Sequence, residues 1–362
     1  MAISNWGYHS WRAGRPRCCE DSAIGWTLSG PLQYDMSSTT CRVAHVNIVA
    51  KDEPLACDVQ RLWDLETLGT QPVDEVHEEF VDNISFSEGK YSVKLPWKES
   101  HDNLTSNYEM CISRLKGQVK KLKHDPALLN EYDAIIQQQL SSGVIEKVAK
   151  LESAEKVHYL PHLAVVRKDA VTTKLRIVYD ASAKSGGKKS ASLNECLHVG
   201  PSLNPLLFDI LVRFRQKRVA LIADIEKAFL NIEVDKADRD CLRFLWLKDA
   251  KNASSEVEVY RFCRVVFGLN SSPFLLNATL RYHFSKYKGL DPKFVETMIE
   301  SFYVDDMVTG DEKSELAYDL YLKAKTRLTE GGFKLRKWKT NDDGLRARVG
   351  NRNIATKQRG RK

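Results

Sequence analysis

The sequence predicts an α+β fold, on three observations. Apolar residues recur at three- and four-residue spacing over 104–122, 128–140 and 314–330, the mark of helices with one buried face. Short β-prone runs at 163–168, 175–180, 218–224 and 302–308 read as strands, the last as a tight hairpin. The chain of 362 residues is 43% hydrophobic, enough for a sizeable core in one large domain or two to three small ones.

Bulk properties narrow the class. No apolar run approaches the ~20 residues that span a bilayer. Met1-Ala2-Ile3-Ser4-Asn5-Trp6 lacks the basic-then-apolar order of a signal peptide. A cytoplasmic or nuclear location with no membrane partner is expected. The eight cysteines are scattered without a Cys-x-x-Cys pair, so neither a zinc site nor a disulfide framework is indicated. Residues 334–362 carry eleven Lys/Arg against two Asp, more than the whole chain's net +7. Such a basic tail suits nucleic acid or forms a solvated end.

Taken in order, residues 1–30 show no clean period. Leu62–Gly69 reads as a short helix with a glycine stop. Phe86–Leu95 reads as a hairpin turning at Glu88-Gly89, and Pro96-Trp97 as packing. The helix at 104–122 is followed by Asp125-Pro126, an N-cap with proline at the first helical position. Gly143 stops the second helix. The runs 163–168 and 175–180 form a hairpin whose arms carry Arg167 and Arg176, planar forks suited to phosphate oxygens. The Gly/Ser/Lys-rich stretch 182–192 lacks the GxxxxGK[ST] order of a phosphate loop and reads as a flexible basic loop. Asn204-Pro205 caps a helix carrying Leu206–Phe214, and Ser272-Pro273 opens another. Ser314–Glu330 is an amphipathic helix ended by Gly331-Gly332, and 333–339 returns as a strand.

Chemistry concentrates in two places. Phe302-Tyr303-Val304-Asp305-Asp306-Met307-Val308 sets two adjacent carboxylates between apolar runs. Neighbouring strand residues face opposite ways, so adjacent acids converge on one site only at a turn. A compact pair of hard oxygen donors suits Mg²⁺, although acids also simply stabilise turns. Arg218–Asp224 is a short apolar run that delivers a third carboxylate at its C-terminal end. Three such acids on one sheet edge suit a two-metal site for in-line phosphoryl transfer.

These motifs resemble a known family. Tyr303-Val304-Asp305-Asp306 resembles the catalytic hairpin of reverse transcriptases, and Asp224-Ile225-Glu226-Lys227-Ala228-Phe229 their first metal-binding motif. Val266–Phe274 resembles the segment between the two, and the wording over residues 24–341 is closest to the Pao/BEL group of LTR retrotransposons. The resemblance implies right-hand polymerase fingers and palm, an antiparallel sheet backed by helices. Asp224, Asp305 and Asp306 would be catalytic and hold two Mg²⁺ ions, with Mn²⁺ as a substitute. Glu226 is not a ligand. Arg176, and less closely Arg167, would grip the incoming triphosphate. Phe229 would lie under the sugar and disfavour a ribose 2′-hydroxyl. Gly268 would let the backbone approach the nucleotide, while Phe267 departs from the glutamine found beside it in many retroviral enzymes. Lys337 and Lys339 are both candidates for the general acid. Partners would be an RNA or DNA template with primer, and dNTPs.

The resemblance also divides the chain. Residues 1–100 are expected to be a remnant after an upstream aspartic peptidase plus a connecting segment, without the peptidase's Asp-Thr/Ser-Gly loop and without proteolysis. Residues 101–340 are the reverse transcriptase, with fingers about 141–200 and palm about 201–340. Residues 341–362 are a basic, disordered tail where a thumb is missing. The expected function is RNA-directed DNA synthesis by a truncated chain. The alternative is a catalytically inactive nucleic-acid-binding remnant.

Overall fold

The structure, a computed structural model, describes residues 9–10, 18–22 and 25–29, and then residues 72–350 except 100, 102–103, 149–155, 167–174, 187–189, 251 and 253–254. The chain divides at residue 70 into two units. In the first, β1 (His9–Ser10), β2 (Cys18–Ser22) and β3 (Gly25–Ser29) form an antiparallel meander, with Cys18 opposite Ser29. The helix expected at 62–69 lies outside the described residues.

The second unit opens with α1 (Pro72–Asn83) and the hairpin β4 (Ser85–Ser87) and β5 (Lys90–Val93). Glu88 and Gly89 both have positive φ, as a two-residue hairpin turn requires. Phe80, Tyr91 and Val93 are buried in the main core. β5 pairs in parallel with β10 (Glu233–Val234). Asp238 accepts hydrogen bonds from the Leu95 backbone N–H and Trp97 Nε1 at 2.7 and 2.8 Å. These partners lie some 140 positions along the chain, beyond the reach of any local pattern.

α2 (Tyr108–Leu122) begins four residues later than its periodicity suggests, because Asn107 exchanges two hydrogen bonds with the Tyr159 backbone. α3 (Pro126–Ser141) is capped as expected, the Asp125 carboxylate accepting from the Leu128 N–H. β6 (Ile145–Lys147) joins β11 (Arg243–Leu247) and β12 (Val257–Phe262) in one antiparallel sheet. β7 (His162–Val166) and β8 (Leu175–Tyr179) pair antiparallel in a two-stranded sheet. Between these sheets Tyr132, Phe244, Trp246, Tyr260 and Phe262 pack fully buried. His162 sits among them, its ring bonded to the Tyr132 hydroxyl and the Leu245 carbonyl. Burial pushes its pKa down to about 4.

After the short α4 (Leu193–Cys196) and α5 (Leu207–Gln216), a four-stranded antiparallel sheet carries the acidic motifs. Its order is β13 (Phe302–Tyr303), β14 (Asp306–Asp311), β9 (Val219–Ile225) and β15 (Leu335–Lys339). α6 (Ser272–Ser285), α7 (Pro292–Ser301) and α8 (Ser314–Glu330) complete the α+β arrangement. The N-cap position of α6 falls on Ser271, one residue earlier than expected and without a side-chain cap bond, while Ser272 Oγ donates to the Val266 carbonyl.

The first part of the tail expected from 341 is helical rather than disordered. Asp343–Gly350 forms α9, whose Leu345 and Val349 are buried beside Val219, Leu221, Ala317 and Tyr321. The Asn341 side chain clasps the backbone at Arg218 and Ala220, and Asp342 accepts from the Leu345 N–H and Ser314 Oγ. A single apolar pair one turn apart among charged residues is too short for a periodic signal. Residues 351–362 lie outside the described residues. Among the described residues no helix is long and apolar enough to cross a membrane.

Candidate active site

The site is built on the two faces of β9. Its burial alternates strictly: Val219, Leu221, Ala223 and Ile225 are buried, while Ala220, Ile222 and Asp224 are half-buried on the other face. Asp224 thus stands at the strand's end on the open face.

The hairpin β13–β14 brings the other two carboxylates there. Its turn is Val304-Asp305. The Asp305 carbonyl accepts from the Ile225 N–H at 2.9 Å, tying the turn to the end of β9. Asp306 is the register partner of Asp224 across the antiparallel pair. Like charges directly opposite one another repel. Burial first, then the negative charges of Asp305 and Asp224, raise the Asp306 pKa above the usual carboxylate range, with Lys337 opposing. The sheet thus tolerates an unfavourable pairing, which is a mark of a functional site.

β15 adds cations on the same face. Leu335 opposes Ile225 and Arg336 opposes Asp224, but Lys339 opposes Ile222, so one extra residue is inserted between. Lys337 occupies this bulge with φ of 53°. A bulge re-aims side chains that strict alternation would send to the other face. As a result Lys337 Nζ reaches Asp224 Oδ2 at 2.9 Å, beside Arg336 Nε at 3.3 Å. Lys339 is exposed, lying beside Ile222, two residues back along β9 from Asp224. Glu226 is engaged by Arg336 at 3.1 Å and Lys334 at 3.7 Å.

Among the described residues no three His, Cys, Asp or Glu side chains are gathered as a ready metal cage. The donor set nevertheless fits a divalent cation. Asp224 Oδ1 is a buried acceptor without a hydrogen-bond partner. Facing it in register is a second carboxylate whose neighbours push it toward protonation. Added positive charge would relieve both.

The remaining residues fall around this face unevenly. Arg176 is exposed on β8 opposite Val165, while Arg167 lies outside the described residues. Phe229 is buried in a short 3₁₀ turn at Ala228–Asn231, its ring edge-on to Phe267 with centroids 4.6 Å apart. Phe267 itself is 60% exposed, so the residue read only as a departure from glutamine is the outer ring of an aromatic pair. Gly268 has φ of 106°, and a Cβ there would sit 2.4 Å from the Tyr179 carbonyl oxygen. The close approach demanded of this glycine is therefore to the end of β8.

Three contributing residues were not identified by sequence reasoning. Asn194 donates to the Gly268 carbonyl, accepts from the Asn270 N–H, and receives Asn270 Nδ2 on its own carbonyl. Arg336 was legible only as a neighbour of Lys337. Asn204, read as a helix cap, instead accepts the Val304 N–H at 3.0 Å, and α5 starts without a side-chain cap.

Residues 171–342 match the family model for reverse transcriptase (RNA-dependent DNA polymerase). That span contains Arg176, Asp224, Phe229, Gly268, Asp305, Asp306, Lys337 and Lys339, and begins just after Arg167. That span, just under half of the chain, is thus similar to reverse transcriptases, a family that polymerises DNA on nucleic-acid templates from dNTPs with divalent metal ions. No curated protein matches the chain.

Proposed function

We propose that this chain is the fingers and palm of an RNA-directed DNA polymerase from a Pao/BEL-type LTR retrotransposon. The observation that carries this reading is the register pairing of Asp224 with Asp306 beside the Asp305 turn, within the matched span. The Pao/BEL assignment rests on the wording of the motifs.

Asp224, Asp305 and Asp306 would hold two Mg²⁺ ions, which when bound favour ionisation of the primer 3′-hydroxyl and neutralise the triphosphate. The chain's own residues do the rest. Arg176 grips triphosphate oxygens through its planar fork. Phe229, behind the exposed ring of Phe267, lies under the sugar and excludes a 2′-hydroxyl. Gly268 keeps the loop after Val266 tight against β8. Of the two lysines, Lys337 is placed beside Asp224, so it is the one assigned to protonate the leaving pyrophosphate. Template and primer bind across the open face of the sheet.

The second reading, a non-catalytic nucleic-acid-binding region, is favoured by the occupation of Asp224 Oδ2 by Lys337 and Arg336. Primer extension on poly-rA/oligo-dT with Mg²⁺, by wild type but not Asp305→Asn, supports the polymerase. Gel-shift binding of the same duplex with no extension by either supports the second reading.

A further inference from the structure

Val304 has φ of 55°. This is the left-handed region, where a β-branched residue is a genuine outlier. It is the residue that turns the chain immediately before Asp305. Its N–H would face no strand partner at the hairpin tip, and the Asn204 side chain accepts it at 3.0 Å from a hundred residues away. Asn204 is itself held in place. The carbonyl of the preceding Leu203 accepts from Arg281 Nη2 on α6 at 2.6 Å. Arg213 on α5 donates to the Glu300 carbonyl at 3.1 Å, at the end of the helix that leads into the hairpin. On the other side the Asp305 carbonyl is fixed by the Ile225 N–H. The strained turn is thus gripped at both its central residues, once by strand β9 and once by a side chain.

We infer that Asn204 is a positioning residue for the carboxylate hairpin: its side-chain oxygen holds Val304 in the left-handed conformation and so sets the direction of Asp305. The effect on catalysis rests on the polymerase reading, whereas the coupling between Asn204 and Val304 does not. Strained backbone of this kind persists only where its surroundings over-determine it. Glycine adopts the same conformation freely, so a glycine at 304 removes the need for the bond.

The test is a double-mutant cycle on the full chain with Asn204→Ala, Val304→Gly and both together. Thermal unfolding is read first. Asn204→Ala is expected to lower the melting temperature, and the same change in the Val304→Gly background is expected to lower it much less. Equal shifts in the two backgrounds overturn the inference, whether or not the chain polymerises. Single-nucleotide incorporation is read second. Asn204→Ala is expected to lower kcat by about tenfold, the loss of one well-placed hydrogen bond, with KM for dNTP little changed. Val304→Gly is expected to restore most of that loss in the double variant. A fall confined to KM, or a loss that Val304→Gly does not rescue, overturns the positioning role. Coupling in stability together with no incorporation by wild type supports the Asn204–Val304 grip and removes the polymerase reading alone.

Discussion

The two faces of β9 carry opposite kinds of residue, though they alternate along one seven-residue strand. On the covered face Val219, Leu221, Ala223 and Ile225 are each at most 5% exposed and packed in apolar clusters. On the open face Asp224 has one carboxylate oxygen without a partner, a like charge opposite, and two cations crowding the other oxygen. One buried polar set in the scaffold contrasts with it in the same way. Tyr132, His162 and the Leu245 carbonyl satisfy one another. The like-charge pairing of Asp224 and Asp306 lies on the face where chemistry would occur, and the covered face supplies the stability that holds it in place.

The comparison can be broken first through packing. Leu221→Ala should cost about 3 kcal/mol of stability, since it opens a cavity in a fully covered position. Ile222→Ala on the open face should cost clearly less, and denaturant unfolding of the two variants gives the contrast directly. Gly268→Ala comes next. It places a Cβ against the Tyr179 carbonyl at a positive φ, so it should cost about 2 kcal/mol and weaken dNTP use, read by KM.

Two pH effects of opposite sign sharpen the contrast. His162 is held neutral by burial, its pKa lowered from 6.5 to about 4. The unfolded chain therefore takes up a proton that the folded chain refuses, and stability should fall as pH drops through that window. Denaturant midpoints across the window test this, and His158 and His283, also lowered by burial, act in the same sense. Asp306 is raised, so its ionisation opposes folding above its shifted value. Asp306→Asn should slightly raise the melting temperature at neutral pH, and the gain should vanish as pH falls below the ordinary carboxylate range. A gain that grows on acidification contradicts this assignment.

Much of this was legible in the sequence because it is local. The strand ending in Asp224, the hairpin with Asp305 at its turn, the Asp125 cap and the helix Ser314–Glu330 are written in period and punctuation. What stayed hidden depends on register and distance. The bulge that turns Lys337 toward Asp224 is one extra residue relative to β9, which no run of apolar residues records. Asn204 sits before Pro205 and a helical run, so its cap-like setting concealed a bond to Val304. The hairpin expected over Phe86–Leu95 is present as Ser85–Val93, but its place in the main core depends on β10 and Asp238. The helix Asp343–Gly350 is held by two apolar contacts and two side-chain clasps rather than by a stripe.

The central claim is that the open face of β9 and its hairpin catalyse DNA synthesis. Single-nucleotide incorporation on an RNA template with Mg²⁺ tests it most directly, comparing wild type, Asp224→Asn, Asp305→Asn and Glu226→Gln. The account predicts losses on the order of 10³-fold or more for the first two variants, and a loss within about tenfold for Glu226→Gln, whose carboxylate is engaged by Arg336 and Lys334. Incorporation that survives Asp224→Asn, or an equal loss in all three variants, would contradict it.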